Sequence, residues 1–279
     1  MEYRIDRSMT AREALRLLFP QSSRRTLQNW LKAGRFSVDG RYLERENEEL
    51  TAGQLLQARD TCKPQLIPDL PILYEDRYLV AIDKPEGLLS VPLDDNQRKR
   101  HALRILRDHY GSDQVFAVHR IDRETSGCLL FARGKESEER FKALFEAHEM
   151  EREYFAIVQG LVRSDRGSWT SRLLELESFR VVESHEGKPA VTHYEVLRRS
   201  RKYTYLKLLL ETGRKHQIRV HCSAAGFPVL GDERYGSNED PIRRMCLHAR
   251  RIAFLHPFTG KRLEIISPIP ATFKKLGVV

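Results

Sequence analysis

From residue 71 onward the chain is punctuated by short runs rich in β-branched and aromatic residues: "YLVAID" (78–83), "VFAV" (115–118), "CLLFA" (128–132), "YFAIV" (154–158), "YTYLKLLLE" (203–211) and "RLEIIS" (262–267). Each has the length of a strand, and long helical patterns between them are few. One helix is predicted over 137–148, where Phe141, Leu144, Phe145 and His148 repeat at i, i+3, i+4 and i+7. Another fits 214–225, closed by Gly226 with Pro228 following. Many strands with few helices predict an α+β domain built on a mixed, largely antiparallel sheet. There is no internal repeat and no low-complexity tract.

The first 60 residues follow a different pattern. Thr10-Ala11-Arg12-Glu13 fits a capping box, and the helix it opens must stop near Pro20. A second helix is predicted from about Ser23 to Ala33, ending at Gly34. At about 100° per residue, Leu27, Trp30 and Leu31 fall on one side of it and Arg24, Arg25, Gln28 and Lys32 on the other, giving a core face and a basic face. Asp39-Gly40 between short β-prone segments predicts a hairpin with a type I′ turn. The order helix, helix, hairpin, with "SSRRTLQNWLKAGRFSVDGRYL" as its core, resembles an S4-type RNA-binding module. That resemblance makes Arg24, Arg25 and Lys32 candidate RNA contacts. Residues 61–70, "TCKPQLIPDL", carry two prolines and no clear period, so they are expected to be a linker between a small α/β module (1–60) and a larger domain (71–279).

Composition narrows the partners. A net charge of +9 favours a polyanion, either nucleic acid or an anionic membrane surface. No apolar run approaches the ~20 residues of a membrane span, and the N-terminus lacks the apolar core of a signal peptide, so a cytoplasmic protein is expected. Cys62, Cys128, Cys222 and Cys246 form no C-x-x-C pair, which predicts four reduced, structural thiols and no zinc knuckle.

The chemistry concentrates in "HRIDRETSGCLLFAR" (119–133), where Asp122 stands between two arginines ahead of an apolar strand. Taken alone, an aspartate beside Thr and Ser is a turn or cap residue. The whole stretch, however, resembles the H-R-L-D-x-x-T-S-G-L-L-L-F-A-K signature of the RluA family of pseudouridine synthases. Further segments follow in that family's order: "IDKPEGLLSVP" (82–92), "EREYFAIVQG" (151–160), "TGRKHQIRVHCSAAGFPVLGDERYG" (212–236) and "LHARRIAFLHPFTG" (247–260). Departures are mild: Ile121 replaces Leu, Val91 stands where His is common, Arg152 replaces Lys, Lys215 replaces Thr, and Cys222-Ser223 replace Leu-Ala.

The resemblance implies isomerisation of uridine in RNA, with large-subunit rRNA ahead of tRNA as substrate and no metal, nicotinamide or nucleotide cofactor. It makes Asp122 the catalytic carboxylate, as nucleophile toward the sugar or as base at C2′, two roles between which the sequence does not choose. It pairs Arg219 with Asp122, where a fixed cation would oppose the desolvation of a buried carboxylate. Tyr154 would stack on the uracil and help remove the C5 proton. Arg120 would fill the space left by the flipped nucleotide, since a guanidinium both stacks and bonds phosphate. Lys84 would either touch phosphate or hold the turn after the first strand. His119 reads as a structural hydrogen-bonding residue. Nothing in the sequence demands more than a monomer.

Three alternatives are weaker. A metal hydrolase built on His216, His221, His248 and Asp232 suffers because residues five apart on a helix are separated by about 140°. An RNA glycosidase would want a second carboxylate, and Glu124 is the only nearby acid. A non-catalytic RNA clamp would not need Asp122, Tyr154 and Arg219 together.

Overall fold

The computed structural model describes residues 2–20, 22–32, 34–39, 41–43, 45–58, 66–67, 70–92 and 100–279, excluding the side chains of 29, 32, 42, 66 and 67. The chain divides into two compact units, Met1–Val80 and Ala81–Val279. Most of the expected linker, together with Cys62, lies outside the described residues.

The first unit contains β1 (Glu2–Arg4), β2 (Met9–Thr10), α1 (Ala11–Leu18), α2 (Arg24–Lys32), β3 (Phe36–Val38), β4 (Arg41–Tyr42), β5 (Glu49–Leu50), β6 (Leu55–Ala58), β7 (Leu66–Ile67) and β8 (Leu70–Glu75). The Thr10–Glu13 capping box forms as expected, and α1 ends at Leu18, ahead of Pro20. Ser23 Oγ accepts the Thr26 N–H at 3.1 Å and so caps α2. Leu27 and Leu31 are buried among Leu15, Phe36 and Leu56, while Trp30 packs partly buried on the same side. The 39–40 turn is only half visible: Asp39 is left-handed at φ +48 and accepts the Leu55 N–H, and Gly40 and Ala33 lie outside the described residues.

The boundary falls within β9 (Leu79–Lys84), and the second unit continues with α3 (Ala102–Tyr110), β10 (Val115–Ala117), β11 (Ser126–Arg133), α4 (Lys135–Glu146), β12 (Glu151–Gln159), β13 (Arg166–Glu175), β14 (Val181–Glu183), β15 (Lys188–Arg199), β16 (Tyr203–Leu210), α5 (Gln217–Ala224), β17 (Leu247–Leu255), β18 (Arg262–Ile266) and α6 (Ala271–Lys274). Its sheet runs β14-β13-β15-β16-β12-β17-β11-β9, with β10 beside β11 and β18 beside β17. The β11–β17 pair is parallel. Those joining β12 through β16 are antiparallel, so the predicted α+β class holds.

β11 is buried from Ser126 to Ala132, which is why it reads as a near-continuous apolar run. Removing Leu129, Leu130 and Phe131 from water contributes about 2 kcal/mol each. α5 lays Ile218 and Cys222 into a core with Ala156, Val158, Leu206 and Leu230. Cys128, Cys222 and Cys246 are free and buried, and burial raises their thiol pKa values.

Two helices differ from the sequence reading. α3, which the sequence reading did not include, begins at Ala102, where the ring Nδ1 of His101 accepts the Arg104 N–H in place of the usual Ser, Thr or Asp cap. α5 begins at Gln217 instead of 214, because His216 is left-handed at φ +54 and interrupts the helix.

Candidate active site

Asp122 lies in the loop between β10 and β11, and the backbone is held on both sides of it. Before it, Ser90 Oγ donates to the Ile121 carbonyl at 2.8 Å and accepts the Ile121 N–H at 3.3 Å. After it, the Arg123 carbonyl accepts from Lys84 Nζ at 3.0 Å and from the Gly87 N–H at 2.8 Å. Thr125 N–H closes the turn onto the Asp122 carbonyl at 3.1 Å. Ser126 Oγ sits 2.8 Å from His248 Nδ1 and accepts from Arg244 Nη2 at 2.8 Å. Gly127 pairs with Ala249 so closely that an added Cβ would fall 2.2 Å from the Ala249 carbonyl oxygen, and its φ of +111 suits glycine. Thr-Ser-Gly behind the aspartate is therefore a packing requirement that fixes where the loop leaves the sheet.

The segment His216–Arg219 supplies the opposite wall. Gln217 anchors the start of α5, donating from Nε2 to the Val191 carbonyl and to Thr192 Oγ1, both at 3.0 Å. Arg219 is 4% exposed and forms a bidentate pair with Asp232, Nε to Oδ2 at 2.7 Å and Nη2 to Oδ1 at 2.8 Å. Its remaining Nη1 donates to Asp122 Oδ2 at 3.1 Å. Burial opposes the charge of Arg219, but the Asp232 bonds and the Asp122 carboxylate outweigh it and raise its pKa. One Asp122 oxygen is thus oriented by a permanent cation. Oδ1 has no protein partner among the described residues.

His216 Nε2 faces Asp122 Oδ2 at 3.9 Å, and its Nδ1 lies 2.7 Å from the Tyr235 hydroxyl. That hydroxyl already accepts the Val181 N–H at 3.0 Å, so its own proton is available to His216 Nδ1. The tautomer favoured by this arrangement presents Nε2–H toward the carboxylate.

Tyr154 lies on β12 at a register slip between Glu153 and Tyr154 in the β12–β17 pairing, where β17 carries one extra residue, Arg250. Desolvation, the largest influence, together with the Asp122 charge raises its phenol pKa to about 12, against the opposing pull of Arg152. The hydroxyl stays protonated at neutral pH. Asp122, Tyr154, His216, Arg219, Arg120 and Ile218 line one cleft of about 190 Å³. Among the described residues, no group of three or more His, Cys, Asp or Glu side chains could hold a metal ion.

The family model for RNA pseudouridylate synthase matches residues 78–224. The ribosomal large subunit pseudouridine synthase D of Pseudomonas aeruginosa is 35% identical over 281 residues, covering 92% of this chain and 87% of its own. The chain belongs to the RNA pseudouridylate synthase family. The dual-specificity RNA pseudouridine synthase RluA of Pasteurella multocida is 37% identical over 211 residues, covering 74% of this chain and 95% of its own. The solved structure of human RNA pseudouridylate synthase domain containing 1 aligns with a TM-score of 0.63 at 25% identity, over 75% of this chain and 86% of that one.

The three residues expected to do chemistry in this synthase, Asp122, Tyr154 and Arg219, share the cleft. Arg120 is exposed at its edge and has no ion-pair or hydrogen-bond partner among the described residues. Of the two roles expected for Lys84, the structure corrects the first, a phosphate contact, and gives the second, a hold on the turn after the first strand. Its ammonium is fully buried and donates to the carbonyls of Pro85 at 2.9 Å, Leu88 at 2.8 Å and Arg123 at 3.0 Å, so it holds the Asp122 loop and presents nothing to RNA. Burial lowers its pKa to about 7, with Glu124 and Asp122 pulling the other way.

Arg24 is exposed and paired with Glu46, Arg25 is exposed, and the Lys32 side chain lies outside the described residues. His119 accepts the Leu130 N–H at Nε2 and stacks on Phe145, in keeping with a structural role; desolvation, then Arg152, lowers its pKa to about 3. Asp232 and the His216–Tyr235 pair were not read as parts of this site. The one available signal for them was their presence in the "TGRKHQIR…GDERYG" block.

Proposed function

We propose that Asp122 is the catalytic carboxylate of this synthase and that its substrate is a uridine in large-subunit ribosomal RNA. The observation that carries this reading is the Asp122 carboxylate, anchored through one oxygen to the buried Arg219–Asp232 pair, in a cleft shared with Tyr154. In the reaction the N1–C1′ bond breaks, the uracil turns, C5 joins C1′, the C5 proton leaves and N1 gains one. Asp122 acts through its unpaired oxygen, either on C1′ or on the C2′ proton. Arg219 keeps that carboxylate oriented while the base covers it. Tyr154, neutral at physiological pH, stacks on the uracil and relays the C5 proton through its hydroxyl. Arg120 occupies the stack vacated by the extruded nucleotide, whose unstacking costs a few kcal/mol.

The front unit serves as an S4-like RNA-binding module, with Arg24, Arg25 and Lys32 as its candidate phosphate contacts. The enzyme works as a cytoplasmic monomer without a small-molecule cofactor. The name of the Pseudomonas aeruginosa relative supports ribosomal RNA over tRNA as the substrate. Mapping pseudouridines in rRNA and tRNA from cells with and without the gene tests the assignment. Loss at one or a few large-subunit positions is expected; an unchanged large-subunit map with losses in tRNA would overturn it.

A further inference from the structure

The hairpin joining β13 to β14 carries Phe179, which is 68% exposed, more than any other large apolar side chain among the described residues. Its backbone is left-handed, with φ +59. The loop closes through Phe179 N–H to the Leu176 carbonyl at 2.9 Å and Leu176 N–H to the Arg180 carbonyl at 2.8 Å. This is a three-residue hairpin loop whose last position calls for glycine or asparagine. A bulky aromatic in that position suits neither folding nor solubility: it gains no burial and adopts a conformation unfavourable to L side chains.

The tip is tied to the rim of the catalytic cleft. Lys215 Nζ lies 5.4 Å from the Phe179 ring centroid and also pairs with Glu175. Arg234 Nη2 donates to the Ser178 carbonyl at 3.4 Å. The Arg180 guanidinium lies 5.8 Å from the Tyr235 ring, whose hydroxyl meets His216 inside the cleft. Arg214, which lines the cleft, is exposed, as are Arg180 and Arg234; Glu175, Glu177 and Glu233 are the opposing charges. A protruding ring with cations around it beside the catalytic cleft is the chemistry that binds unpaired bases, by stacking on the aromatic face and phosphate contacts around it.

We propose that Phe179 is a stacking platform for an unpaired nucleotide flanking the target uridine, so that the 176–180 loop sets which RNA segments enter the cleft. This rests on the functional reading above. The test uses large-subunit rRNA from cells lacking the gene, carrying tritium at uridine C5, and measures label release and RNA affinity at fixed salt for wild type, Phe179→Gly and Phe179→Trp.

Glycine removes the ring and relieves the left-handed strain. Phe179→Gly should therefore melt no lower than wild type while KM and the RNA Kd rise roughly 5- to 150-fold. Phe179→Trp should retain affinity, and its added fluorescence should be quenched by RNA. If wild type releases label and Phe179→Gly keeps the wild-type KM and Kd, the platform is overturned and the tip is left to a protein partner. An unquenched tryptophan also counts against it. Silence of wild type itself would instead overturn the substrate assignment.

Discussion

The Arg219–Asp232 pair offers a severe test of how the catalytic carboxylate is held. Arg219 is 4% exposed and Asp232 2%, and two of the guanidinium's contacts are the bidentate bonds at 2.7 and 2.8 Å. Asp232→Ala leaves a buried cation with Asp122 as its near partner. Breaking a buried pair from one side costs about 3–5 kcal/mol, because the remaining charge stays desolvated. For a unit of this size that corresponds to a fall in Tm of roughly 6–20 °C. Activity should fall too, since Arg219 is then free to swing toward Asp122 and engage both its oxygens, including the one proposed to react. Thermal unfolding and tritium release, measured together, would show the two effects. A Tm within 2 °C of wild type, in about the range of an exposed pair, would refute the claim that this pair is the structural anchor.

Lys84→Met keeps the side-chain volume but removes the donor from the Pro85 and Leu88 carbonyls, while the Arg123 carbonyl keeps the Gly87 N–H. A loss of about 2–4 kcal/mol in denaturant unfolding is expected, with kcat reduced because the Asp122 loop loosens; unchanged stability would show the buried ammonium to be dispensable. Acid should destabilise the fold through neutral histidines. Burial, then Arg244, lowers the His248 pKa from 6.5 to about 4, so the unfolded chain takes up a proton first as pH falls. The contribution of His248 is intact above about pH 6.5 and declines toward pH 4, by about 3 kcal/mol in all. Comparing the slope of stability against pH in this window for wild type and His248→Gln checks it, with the variant expected to be flatter.

Much of this structure is written in local sequence signals. The Thr10–Glu13 capping box, the Leu27–Leu31 face and the run from Cys128 to Ala132 each depend on neighbours within a few residues, and each forms as read. Helix α3 was obscured because its cap is a histidine and its start is crowded with arginines. β13 and β15 are half-exposed strands studded with charge, so their apolar run is interrupted. At the left-handed His216 the ring reaches Tyr235, a contact no periodicity encodes. In the site, Asp122, Tyr154 and Arg219 were legible only through their family motif, since each alone reads as a turn, strand or surface residue. The partnership of Arg219 with Asp232 crosses a loop, and the burial of Lys84 depends on carbonyls from two separate segments. Tertiary folding, not composition, decides whether such a lysine meets RNA or backbone.

The most direct measurement compares wild type with Asp122→Asn on RNA tritiated at uridine C5, with unfolding monitored in parallel. The amide preserves the shape and can still accept from Arg219, so the variant should fold and bind RNA yet release no label to water above background. Release at the wild-type rate from a properly folded Asp122→Asn protein would contradict the account.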